Sequence, residues 1–221
     1  MSTPTATIRV EIDGVATEVA PGTTVLDAVR ARGGEIATLC FDERQEPFGA
    51  CRVCLIGVDG APGPVAACTT PCRDGMKVDT RDPAALRVAA ATVELVLSEL
   101  PGPPAAHTEL AIVARGFGLQ HGALRWPGAQ HEVEHDERHP YLTLHHELCI
   151  SCGRCVRACD EVQGAFALTA TGRGFEANIA AGLHQSFRES TCVSCGACAD
   201  TCPTDAITEI SLLAMVEPGE R

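Results

Sequence analysis

Thirteen cysteines punctuate this chain, and eight of them fall into two matching runs. Cys149-x2-Cys152-x2-Cys155-x3-Cys159 is repeated as Cys192-x2-Cys195-x2-Cys198-x3-Cys202, and Pro203 closes the second run. Three close cysteines and a fourth a turn later form the thiolate pattern that wraps a cubane of iron and sulfide. Zinc also takes four thiolates, but its sites pair two C-x2-C knuckles across a longer loop, so unbroken four-cysteine runs argue against it. A disulfide framework is expected to be absent, because Met1 to Thr7 is polar and lacks the apolar core of an export signal. The chemistry these residues predict is one-electron transfer.

The spacing resembles that of a two-cluster bacterial ferredoxin, in which each run gives three thiolates to one cubane and one to the other. That resemblance implies one 4Fe–4S cluster on Cys149, Cys152, Cys155 and Cys202, and a second on Cys192, Cys195, Cys198 and Cys159. The crossover has a physical reason. A tight loop wraps one corner of a cluster, and the helix that follows carries the fourth thiol toward the neighbouring cluster.

A second cysteine constellation lies nearer the N-terminus. Thr7 to Ile12 alternates apolar and polar residues as a strand does, Asp13-Gly14 is a two-residue hairpin turn, and Val15 to Val19 returns. Pro21-Gly22-Thr23-Thr24 then opens a helix over Val25 to Arg32, capped by a threonine and closed by Gly33-Gly34. Cys40, Cys51, Cys54 and Cys68 follow with the spacing C-x10-C-x2-C-x13-C. Hairpin, helix and cysteine loop resemble a β-grasp ferredoxin domain, whose loop holds a 2Fe–2S cluster on these four thiolates. The first gap is longer than in plant-type members. Gly49 and Ala50, just before Cys51, suit a loop whose amides approach cluster sulfurs closely. These twelve ligands leave Cys72 over, and a small buried residue is the expected role for a cysteine outside a ligand set.

The elements between the cluster domains carry less chemistry. Asp82-Pro83 reads as a helix start, and Leu86, Val93, Val96, Leu97 and Leu100 mark the buried face of a helix that Pro101 ends. His131, His135 and His139 are spaced to stack on one helix face, but Glu132, Glu134, Asp136 and Glu137 around them favour a solvated acidic segment over a metal site. The expected organisation is α+β. It comprises a β-grasp 2Fe–2S domain over 1–80, a helix and linker over 81–144, and a two-cubane ferredoxin-like domain with a tail over 145–221.

Composition bounds the partners. The formal net charge of −12 argues against nucleic acid, which needs a basic face. No apolar stretch is long enough to cross a bilayer, so membrane insertion is not expected. Reduced cysteines without an export signal imply the cytoplasm. No Gly-rich dinucleotide loop and no nucleophile–base pair stands out; Gly172-Arg173-Gly174 reads as a hairpin turn and Ser194 as loop structure. No catalytic residue is therefore expected.

The order of these segments resembles the iron–sulfur subunits of NADH-linked oxidoreductases, over nearly the whole chain. That group includes the large iron–sulfur subunit of complex I, the diaphorase small subunit of NAD-reducing hydrogenases, and the N-terminal part of NAD-dependent formate dehydrogenase alpha subunits. Its most specific stretch runs from Cys152 to Gly164, continues through Phe166 to Thr169 and Gly172 to Phe175, and precedes Cys192 to Cys198. The continuation is most similar to the formate dehydrogenase branch, without the molybdopterin domain that follows there. The resemblance implies a non-catalytic relay between a flavin- and NAD(H)-binding subunit and a molybdopterin, or alternatively nickel–iron, catalytic subunit. Two other classes fit less well: a succinate- or fumarate-type iron–sulfur subunit, whose first cysteine gap is shorter, and a redox sensor or scaffold. One departure matters. The family's middle segment holds a further cubane on one histidine and three cysteines. His107 stands at the histidine's place, but Ala111, Ala114 and residues 116–120 offer no cysteine. His107 is expected to be a hydrogen-bonding remnant rather than a ligand.

Overall fold

The computed structural model describes residues 7–121, 124–130, 139–182 and 186–210. Its chain folds as two compact units, one built from Met1–Phe41 and Pro47–Leu95, the other from Asp42–Glu46 and Val96–Arg221. The short segment 42–46, which lies inside the long first cysteine gap, therefore belongs to the second unit.

The first unit begins with the hairpin β1 (Ile8–Ile12) and β2 (Val15–Val19). Asp13 and Gly14 turn it with φ of 52° and 79°, the left-handed pair that matches strand twist. Helix α1 (Val25–Ala31) follows, with Thr24 as its cap: its hydroxyl accepts the Asp27 amide at 3.1 Å. Strands β3 (Leu55–Val58), β4 (Val65–Ala66) and β5 (Lys77–Asp79) complete a five-stranded sheet ordered β2-β1-β5-β3-β4, with β1 and β5 parallel. Val10 and Ile12 from β1, Ile56 from β3, and Val25, Leu26 and Val29 from α1 form its core. Gly57 lets Asp82 approach, since a Cβ there would lie 2.7 Å from the Asp82 Cβ.

Asp82 caps α2 (Pro83–Ser98) by accepting the Ala85 amide at 2.7 Å. The stripe that α2 buries runs through Ala85, Ala89, Val93 and Leu97, with Leu100 just beyond the helix end. Leu86, expected on the buried face, is exposed instead, because the alanines claim the packed side.

In the second unit, α3 (Glu109–Gly116) is capped by Thr108 and buries Leu110, Ala111 and Ala114. Regular structure beyond it is short: β6 (Leu142–Leu144) pairs with β9 (Ile207–Glu209), and β7 (Leu168–Thr171) with β8 (Asn178–Ala181), across a turn that contains Gly172-Arg173-Gly174. Helices α4 (Arg154–Arg157) and α5 (Ala197–Asp200) have a single turn each, and α4 continues as a π turn over Ala158–Val162. No described helix is long and apolar enough to cross a membrane.

Candidate metal centres

In the first unit the loop after α1 and the strand pair β3–β4 bring four thiols together. Cys54 and Cys68 sulfurs lie 3.4 Å apart, and the Cys51 amide donates to the Cys40 sulfur at 3.4 Å. Cys40 hydrogen-bonds both Cys51 and Cys68 through their side chains, which pulls its thiol far below the ordinary range. The same bonds push Cys51 and Cys68 up. Four thiols this close cannot all ionise by themselves, so they would become thiolates together only where metal displaces their protons. Gly49 has a φ of 69° and packs so tightly on Thr69 that a Cβ would sit 3.0 Å from its methyl. Cys72 stands apart. It is buried in the apolar core, its thiol is raised by burial and then by Asp27, and its amide donates to the Thr23 carbonyl at 2.8 Å.

The second unit holds two cavities that the two runs build jointly. One is lined by Cys149, Cys152, Cys155 and Cys202, with Leu144, Ile179 and Ile207 among its walls. The other is lined by Cys159, Cys192, Cys195 and Cys198, with Leu142, Leu168 and Phe187. Each takes three cysteines from one run and the fourth from the other. Leu142 and Leu144 point from the same face of β6, one into each cavity, so the two are adjacent.

The runs repeat their backbone as well as their spacing. Ser151 and Ser194 adopt left-handed φ of 52° and 57°, which turns their amides onto Cys149 and Cys192 sulfurs at 3.4 and 3.3 Å. Gly153 and Gly196 follow at 74° and 77° and open α4 and α5. The Ala167 amide adds a bond to the Cys159 sulfur at 3.1 Å. Burial raises the thiols of Cys149, Cys155 and Cys192, and pushes Cys152 and Cys198 up to about 12. Thiols in so dry a place become ligands only when metal displaces their protons. Among the described residues, no group of three His, Cys, Asp or Glu side chains is gathered for a single ion. The thiols instead ring spaces with apolar walls and amides aimed at sulfur, a donor set that fits iron–sulfur clusters.

Two histidines complete the site. His107 is exposed and its Nε2 lies 2.6 Å from Asp205 Oδ2. Ala111 and Ala114, where a further cluster would need thiols, are buried in α3. His139 differs from its expected place on a solvated segment: it is 3% exposed. Its Nδ1 accepts the amides of Tyr141 and Leu142 at 3.1 and 3.0 Å, its ring packs on Phe187 at 4.7 Å, and its Nε2 lies 3.4 Å from the Ser194 hydroxyl. His139 thus supports the wall and loop of the second cavity. No local sequence signal marks this role, because Phe187 and Ser194 lie far along the chain. His131 and His135 lie outside the described residues.

Comparison with known proteins finds iron–sulfur domains in both parts of the chain. A 2Fe-2S iron-sulfur cluster binding domain matches residues 5–83, and a 4Fe-4S dicluster domain matches 148–206. NADP-reducing hydrogenase subunit HndD of Solidesulfovibrio fructosivorans is 30% identical over 91% of this chain. The NADH-ubiquinone oxidoreductase 75 kDa subunit of Reclinomonas americana is 31% identical over 91% of it. The chain spans only 36% and 29% of those two proteins. A chain of the NAD+-reducing NiFe-hydrogenase in its H2-reduced state superposes with a TM-score of 0.84 at 26% identity, covering 94% of this chain and 89% of that one.

Proposed function

We propose that this chain, which is similar to iron–sulfur subunits of NADH-linked oxidoreductases, is the electron relay of such a complex, carrying one 2Fe–2S and two 4Fe–4S clusters. The observation that carries the proposal is the pair of adjacent cavities, each lined by four cysteines drawn crosswise from both runs. Cys40, Cys51, Cys54 and Cys68 hold the 2Fe–2S cluster in a β-grasp domain. Cys149, Cys152, Cys155 and Cys202 hold one cubane, and Cys159, Cys192, Cys195 and Cys198 the other. The clusters supply reversible one-electron steps. The protein supplies thiolates, amide donors to sulfur and dry walls, which set how readily each cluster accepts an electron.

A relay needs a source and a sink. We assign a flavin- and NAD(H)-binding subunit to one end, where a hydride pair is split into single electrons, and a metal-containing catalytic subunit to the other. On the similarity of Phe166 to Phe175, the catalytic partner is a molybdenum or tungsten formate dehydrogenase subunit working in the cytoplasm. A second reading has its own support: the superposed chain of a NAD+-reducing NiFe-hydrogenase matches this one nearly end to end. In that case the partner is a nickel–iron subunit.

Iron analysis with spin quantitation on anaerobically prepared protein tests the inventory. Ten irons per chain are expected, the sum of two, four and four; about fourteen would reveal a further cubane and overturn it. Purification through a tag on this chain should bring down both partners with NADH-linked dye reduction. Recovery of the loaded chain alone would sink the relay and favour a sensor. The metal in the co-purified catalytic subunit, molybdenum or tungsten against nickel, decides between the two readings.

A further inference from the structure

The two cysteine runs match position by position, and that match exposes a difference between the cavities. Cys152-Gly153-Arg154-Cys155 corresponds to Cys195-Gly196-Ala197-Cys198, and Ala158-Cys159 to Thr201-Cys202. Because the fourth ligands are exchanged, the residue before a third ligand in one run meets the residue before the fourth in the other. Behind the cavity of Cys149, Cys152, Cys155 and Cys202, next in sequence to Cys155 and Cys202, stand Arg154 and Thr201, which hydrogen-bond each other. The matching positions next to Cys198 and Cys159 of the other cavity are Ala197 and Ala158.

Arg154 is a buried cation, its side chain 6% exposed. Its Nε donates to the Thr201 hydroxyl at 2.9 Å, and Nη1 donates to Glu109 Oε2 at 2.7 Å. Nη2 lies 3.5 Å from Asp42 Oδ2, to which the Thr201 hydroxyl donates at 2.7 Å. The two carboxylates offset the guanidinium only in part. Asp42 is shared with Arg44, which binds the same oxygen at 2.9 Å, and Glu109 is half exposed, so water screens it. Arg154 itself sits between two ligands in the sequence and bonds the neighbour of a third.

We propose that Arg154 is a positioning residue that makes the two cubanes unequal: it holds the one on Cys149, Cys152, Cys155 and Cys202 at the higher midpoint potential. Reduction adds one negative charge to a cluster, and a buried cation beside its ligands favours that state. An electron shared by the pair rests on this cluster, away from the one that carries the exposed Cys195. The inference rests on the two-cubane reading above and adds an order to it.

Redox titration of the full chain with its clusters, using dithionite with mediators and followed by electron paramagnetic resonance, tests it. Signals are assigned with the Cys195→Ala variant, which removes a ligand from the other cluster only. Arg154→Met should lower one midpoint by the equivalent of about a tenfold loss in the reduction equilibrium, ~59 mV for a one-electron couple, and leave the other in place. Arg154→Lys, which keeps the charge, should restore most of it. Glu109→Gln, a surface change that survives even if Arg154→Met fails to load, should move the same midpoint upward. Equal shifts of both cubanes, no shift in either variant, or a downward shift in Glu109→Gln would overturn the assignment of Arg154. Failure of the unmodified chain to load two cubanes would instead overturn the cluster reading itself.

Discussion

Changing Cys72 to Ser separates a cysteine that packs from cysteines that ligate. Cys72 is 5% exposed within the apolar core that also contains Val25, Val29 and Val78. Its thiol is raised by burial, which marks a dry environment, and its amide bond to Thr23 does not involve the side chain. A hydroxyl placed there loses its water without gaining a designed partner, which costs about 1–2 kcal/mol. For a unit of this size that lowers the midpoint of thermal unfolding by about 5–15 °C. The reduced 2Fe–2S resonance should nevertheless persist at full intensity in protein held well below that midpoint. The same change at Cys54, whose sulfur lies 3.4 Å from that of Cys68, should abolish the resonance. The comparison is made on matched samples by spin quantitation beside a calorimetric scan. If Cys72→Ser erases the signal while Cys54→Ser keeps it, the four-thiol set has been drawn wrongly.

His139 and His107 should respond in opposite ways. His139→Ala removes the acceptor of two buried amides and the ring packed on Phe187, and should cost about 2–4 kcal/mol. Iron should fall from about ten toward six per chain as the cubane beside it is lost; unchanged iron and stability would show that the ring is dispensable. His107→Ala breaks only the exposed contact to Asp205 and should leave the iron content intact, with stability changed by less than about 1 kcal/mol. Loss of four irons in that variant would identify His107 as a ligand after all.

How legible each feature is in the sequence depends on the range of the interaction behind it. The Asp13-Gly14 turn and the Thr24 cap are local, because backbone sterics and one nearby amide decide them. The cysteine runs are legible for the same reason, since one loop must wrap a cluster corner within a few residues. The buried face of α2 is harder: leucine at Leu86 outweighs alanine at Ala85 and Ala89 on any hydrophobic scale, yet the alanines are what close packing requires. His139 reads as solvated because its charged neighbours are adjacent, whereas Phe187 and Ser194 reach it across the fold. The segment 42–46 is the clearest case. Inside the first cysteine gap it looks like an enlarged loop, yet Asp42 and Gln45 are buried and hydrogen-bond Thr201, more than 150 residues away.

The second unit also shows why its cysteines cannot be weighed as redox ligands alone. Its helices α4 and α5 have four residues each, and its sheets are two-stranded, elements that do not hold themselves together in water. The buried cluster behind them counts Cys155, Cys159 and Cys198 among its members, next to Leu142, Leu144, Phe187 and Ile207. Bare thiols in such a core border two cavities, and burial raises those of Cys155 and Cys198. Clusters loaded there would displace the protons, fill the cavities and join both runs by ligation, so metal binding and folding would draw on the same free energy. The crossed fourth ligands then have a structural consequence beyond electron transfer. Neither run lines a whole cavity by itself, so a cluster bound in either one would tie the two runs together.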